Sequence, residues 1–190
     1  VAHTFGVYPA RGWRGDLERA ISSRRPTHRL NLYLLPADPE RRLDEPSLHA
    51  GVAGLIQAGI FAADGAPGPA AARLVAGGFV AWRVDRPPAP TVYGNRQGGY
   101  AVRCPACGVG LARELSAAIQ RWRAGEGTQL HCAGCNAQTR LEALHYAPEA
   151  APARYAVELR DVGAPDLATG EIPGFDALFG GLPWVIPSRG

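Results

Sequence analysis

The four cysteines constrain this chain more than any other feature. They occur as two Cys-x-x-Cys pairs, Cys104-Pro-Ala-Cys107 and Cys132-Ala-Gly-Cys135, with residues 108–131 between them. A two-residue gap lets a tight turn aim both sulfurs at one point while backbone amides face the same point and offset thiolate charge. Two such turns supply the four tetrahedral ligands of a structural zinc site. The pattern predicts one structural Zn2+ held by Cys104, Cys107, Cys132 and Cys135. The same set admits a rubredoxin-like iron centre, and Cys-x-x-Cys pairs also serve as redox or disulfide pairs, so metal analysis separates these readings. His131 reads as a strand residue, because four sulfurs already fill the shell.

The flanks agree with paired turns. A knuckle of this kind needs positive φ just past its second cysteine, and Gly108 and Asn136 hold those positions. Glycine takes that conformation freely and asparagine tolerates it best among the alternatives. Residues 100–103, 128–131 and 138–141 read as short strands leading into or out of the turns. Through CPACG at 104–108, HCAGCN at 131–136 and these flanks, residues from about 99 to 146 resemble the zinc-ribbon superfamily. The resemblance implies a structural metal in a small β module that commonly contacts nucleic acid or protein. It departs from the ribbon pattern at one place: Leu111, Leu115, Ile119 and Trp122 fall at helical spacing, which predicts a helical insertion between the knuckles.

Outside the cysteines, the chain is long enough for a packed core, and the expected fold class is α+β: a mixed α/β main domain carrying an inserted four-cysteine zinc-ribbon-like module. The expected division is 1–90 for the main domain, 91–146 for the module, and 147–190 for a C-terminal strand and hydrophobic segment that packs on the main domain. Within the first part, Thr4–Tyr8 reads as a strand, Asp16 as the N-cap of a helix through Arg25, and His28–Leu35 as a strand closed by Pro36. Residues 37–46 read as a surface loop, Ser47 as the cap of a helix through Phe61, and Phe79–Arg86 as an alternating strand. Pro87-Pro88-Ala89-Pro90 marks a rigid link, and 148–153 a second one. Tyr155, Val157 and Leu159 alternate in a further strand. The apolar cluster from Ile172 to Ile186 suits either core or a docking patch.

Composition excludes several functions. All 20 basic residues are arginine, so a phosphate-loop lysine and a Schiff-base lysine are impossible, and ATPase and pyridoxal chemistry fall away. There is no GxSxG elbow, no HExxH and no calcium loop. No apolar run reaches membrane-spanning length, so a soluble, cytoplasmic protein is expected. An enzyme built on His28, His49 or Asp161 lacks any motif that assembles them, and four cysteines leave zinc no open position for hydrolysis. Residues 96–146 hold six arginines against three acids. Arg103, Arg121, Trp122, Arg123 and Arg140 are therefore the candidate contacts to a partner or to nucleic acid. A second group, Arg11, Arg14, Arg19, Arg24, Arg25 and Arg29 near Trp13, is a candidate anion site. The expectation is a non-enzymatic adaptor that offers its zinc module to an unknown protein partner, with nucleic-acid binding as the alternative.

Overall fold

The computed structural model describes residues 30–95, 99–168 and 171–189. The expected N-terminal strand and helix, His28, and the N-terminal arginine group lie outside these residues. The fold is α+β, as expected. Its centre is a four-stranded antiparallel sheet ordered β10-β1-β9-β2, from Trp184–Arg189, Leu30–Leu35, Ala156–Arg160 and Ala81–Asp85. Strand β1 reads as a dense apolar run because both of its faces are covered. Leu32 and Leu34 join Val157 and Leu159 in the larger core, whereas Tyr33 and Leu35 join Ala156 and Ile186 in a smaller cluster on the opposite face.

Helix α1, Glu45–Gln57, and the short helix α3, Phe175–Phe179, cover the larger core together with Ile60, Phe61, Leu74 and Ile172. The N-cap of α1 lies three residues before the expected Ser47. Asp44 is the N-cap and accepts a hydrogen bond from the Ser47 amide at 2.7 Å, while Pro46 occupies the first turn. Proline fits there because the amide it lacks has no partner inside a helix anyway. The helix also ends earlier than Phe61. Gly59 takes φ of 69°, its amide bonds to Ile56 O and that of Ile60 to Leu55 O, a double closure that buries Leu55 against Ile60.

The bond to Ser47 holds the Asp44 carboxyl below the ordinary aspartate value. A folded-state value below the unfolded one means that this cap stabilises α1 fully at neutral pH and is lost as acid protonates the carboxyl. Asp44→Ala is expected to raise hydrogen exchange at Leu48 and Val52 at pH 7, and the difference from wild type should vanish in acid. Asp44→Asn should behave as wild type at pH 7.

The opposite face of the sheet is covered by a two-stranded arm, β3 (Thr91–Gly94) paired with β8 (Ala150–Ala153). The expectation of a link over 148–153 is corrected here: four small buried residues form a strand, with Pro152 opposite Val92. Beyond the arm, β4 (Ala101–Arg103) pairs with β7 (His145–Ala147), and β5 (Gln129–His131) with β6 (Gln138–Arg140). Helix α2, Ala112–Arg123, joins the two knuckles and buries Leu115, Ala118 and Trp122, so the helical insertion is present as the spacing predicts. Their cluster includes Val102, Leu111, Leu130, Leu141, Leu144, Cys104 and Cys132.

The C-terminal apolar residues divide. Ile172, Phe175, Leu178, Phe179 and Ile186 are buried, whereas Leu182 is 75% exposed and Trp184 39%.

Candidate metal centre

The two knuckles are built alike. In the first, the Gly108 amide bonds to Cys104 O at 2.9 Å and the Cys104 amide to Val109 O at 2.9 Å. In the second, Asn136 bonds to Cys132 O at 2.8 Å and Cys132 to Ala137 O at 2.9 Å. These bonds close each turn, and they require the chain to bend sharply after the second cysteine. Gly108 and Asn136 do so with φ of 72° and 59°, the conformation read from their residue types. Inside each turn an amide points at sulfur: Ala106 N to Cys104 Sγ at 3.4 Å, and Gly134 N to Cys132 Sγ at 3.3 Å. The first of these bonds favours the Cys104 thiolate.

The four sulfurs converge. All lie within 4.8 Å of one another, with Cys104 to Cys135 at 3.9 Å and Cys107 to Cys132 at 3.6 Å. A disulfide needs about 2.05 Å. Four sulfurs each about 2.3 Å from a central zinc form a tetrahedron with edges of about 3.8 Å, so these separations fit one metal ion. Among the described residues this is the one group of three or more metal-ligand side chains. Cys104 and Cys132 are buried in the cluster beneath, and Cys107 and Cys135 face outward. Four thiolates leave no open coordination position, and a bound ion would cross-link the two knuckles.

Without metal, Cys104 and Cys107 are pushed in opposite directions. Burial opposes ionisation of Cys104, yet the amides of Cys107 and Ala106 and the neighbouring thiols bring it down to about 7. An amide from Val109 favours the Cys107 thiolate, but Cys135, burial, Cys132 and Cys104 outweigh it and push that thiol up to about 12. At pH 7 the metal-free set therefore still carries the Cys107 proton, and metal must displace it. Zinc binding at pH 7 is expected to release at least one proton per ion, and affinity should weaken as pH falls. Titration calorimetry in buffers of different ionisation enthalpy measures this directly; a buffer-independent heat would contradict it.

The remaining candidate residues have individual partners. Arg103 donates to Gly108 O at 3.0 Å, Arg121 to Gln129 O at 3.1 Å, and Arg123 to Pro90 O at 3.1 Å. Arg140 pairs with Glu142 at 2.6 Å and reaches Thr128 Oγ1 at 3.3 Å. Each guanidinium stays on the surface while holding a turn or hairpin. Trp122 is wholly buried and turns no ring face to solvent. His49 lies on α1 with its ring nitrogen 2.8 Å from Glu45 O, and Asp161 follows β9 with its amide on Asn31 Oδ1 at 3.1 Å, so each has its own local setting.

One constellation escaped the sequence. The Trp122 indole N–H donates to Glu40, which also receives Arg154. The signal available was general: a buried indole needs an acceptor. Nothing local says which one.

Comparison with protein-family models, with curated proteins and with solved structures gives no significant match.

Proposed function

We propose that the chain is a non-enzymatic adaptor whose zinc-ribbon-like module, over about 91–146, presents its two knuckles to a macromolecular partner, favoured to be a protein. One observation carries this reading: the four sulfurs converge in a closed set, while residues 105–110 and 133–136 around them are all exposed. A closed thiolate set supplies rigidity rather than reactivity. Surface loops held rigid by a metal are suited to recognition. No helix among the described residues is long and apolar enough to cross a membrane, and four reduced thiolates suit a cytoplasmic setting.

The arginine excess of residues 96–146 favours a second reading, nucleic-acid binding. Burial of Trp122 removes the aromatic platform from that surface.

Two measurements on the zinc-loaded protein separate the readings. A photo-crosslinker at Val109, which is 41% exposed beside the first knuckle, should capture a protein whose adduct resists nuclease and disappears on chelation. Labelled DNA and RNA across a salt series should show weak binding that Arg121→Ala/Arg123→Ala leaves unchanged. Steep salt dependence abolished by those substitutions would transfer the conclusion to nucleic acid.

A further inference from the structure

The β3–β8 arm leads into the β4–β7 pair that begins the module. The arm itself is packed on the sheet, so the module's connection to it is the two chain crossings beyond β3 and before β8, a weak mount by themselves. Helix α2 supplies a second attachment, because its last turn comes back against the body of the protein. There the indole N–H of Trp122 donates to Glu40 Oε1. Arg154 donates to the other oxygen, Oε2, through Nε at 3.2 Å and Nη2 at 2.7 Å, and its guanidinium carbon lies 5.8 Å from the centre of the Trp122 ring. One residue on, Arg123 holds Pro90 O at the base of the arm.

Trp122 thus has two memberships. Its ring belongs to the buried cluster that contains Cys104 and Cys132, and its N–H belongs to the contact with Glu40. The next residue after Glu40, Arg41, donates to the carbonyls of Asp176 and Ala177 in α3. The contact is therefore anchored on the body side to the larger core, and on the module side to the metal-dependent one.

Solvent access makes the contact reversible. The Glu40 side chain is 37% exposed and that of Arg154 19%, so water replaces the lost partner when the two separate. Glu158 offers the contrast: it is 1% exposed and held by Arg83 and Arg160, and opening that pairing would strand a charge in the interior.

We propose that Glu40, Trp122 and Arg154 form a zinc-dependent clasp. With zinc bound, the module is fixed in one orientation on the body. When zinc leaves, the packing that positions Trp122 is lost, the clasp opens, and the module swings where it joins the β3–β8 arm. The proposal rests on the structural-zinc reading and deepens it: zinc sets the direction in which the knuckles are presented as well as their fold.

The test uses the full chain, with nitroxides attached through non-cysteine chemistry at Val80 on the body and Ala133 on the second knuckle. Zinc content is measured on every sample. Zinc-loaded wild type should give one narrow distance distribution, which chelation broadens severalfold. Glu40→Ala should broaden it severalfold while retaining one zinc per chain and wild-type hydrogen exchange at Leu130 and Thr139. Trp122→Phe, which keeps most of the ring and removes the donor, should act in the same direction. A zinc-loaded Glu40→Ala protein that keeps the narrow distribution would overturn the clasp, and so would loss of zinc from that variant. Failure of wild type to bind zinc would instead remove the structural-zinc reading, together with the clasp that depends on it.

Discussion

Cys132→Ser is expected to cost the protein its zinc and, with it, the fold of residues 99–146. The cluster that holds these residues together is small: ten buried residues, two of them the ligands Cys104 and Cys132. A core of that size does not hold a fold unaided, and small modules of this kind recruit a metal or disulfides for the purpose. Structural zinc contributes apparent binding free energies of roughly 10 kcal/mol or more in comparable small modules, and that energy is folding energy, because the site does not exist in the unfolded chain. Serine replaces a soft thiolate with a poor ligand and leaves three sulfurs around the ion. Zinc content should fall from one per chain towards none, and amides of β5 and β6 should lose protection. Exhaustive chelation of the wild type should do the same. Amides of β1 and β9 should keep their protection in both experiments, since their partners lie in the other clusters. If chelation left hydrogen exchange over 99–146 unchanged, the structural-zinc conclusion would fail.

The centre was legible in the sequence because each of its two knuckles is made locally. Two residues between cysteines fix a turn, and the residue after each turn must accept positive φ. The stripe Leu111, Leu115, Ile119 and Trp122 forecast α2 for the same reason: helical periodicity is visible within one element. Other features failed where locality ends. Strand β8 was hidden because Ala-Ala-Pro-Ala shows no alternation in size or polarity, and it becomes a strand only through its pairing with β3. The start of α1 was ambiguous because Asp44 and Ser47 are both capping residues, and reading Pro46 as the end of a loop favoured the wrong one. The Glu40–Trp122 contact joins residues 82 apart in sequence, beyond any periodicity. The exposure of Leu182 and Trp184 was equally out of reach, because Leu182 lies in the turn before β10 and that of Trp184 depends on which face of β10 the rest of the protein covers.

The close approach of α1 to the segment before α3 yields the other large expected effect. Two glycines in α1, Gly51 and Gly54, weaken it as a helix, and both lie against Gly174. A Cβ at Gly174 would overlap the Gly51 carbonyl oxygen, and backbone carbonyls cannot step aside as a flexible side chain does. Gly174 also takes φ of 90°, which L-residues rarely adopt. Overpacking costs about 1–3 kcal/mol and the backbone conformation roughly 1–2 kcal/mol more, so Gly174→Ala should destabilise the protein by about 2–5 kcal/mol. The damage belongs to the larger core: α3 places Phe175, Leu178 and Phe179 there, and the Tyr155 hydroxyl is tied to Leu178 O. Denaturant unfolding should show the loss, whereas zinc content should stay at one per chain because the metal cluster shares no buried residue with this contact. Gly181→Ala is the control. It too has positive φ, but nothing lies within 4 Å of its added Cβ, so only the conformational part of the cost should remain. Equal losses in the two variants would mean that the α1 contact contributes nothing, and that the glycines of α1 are there for another reason.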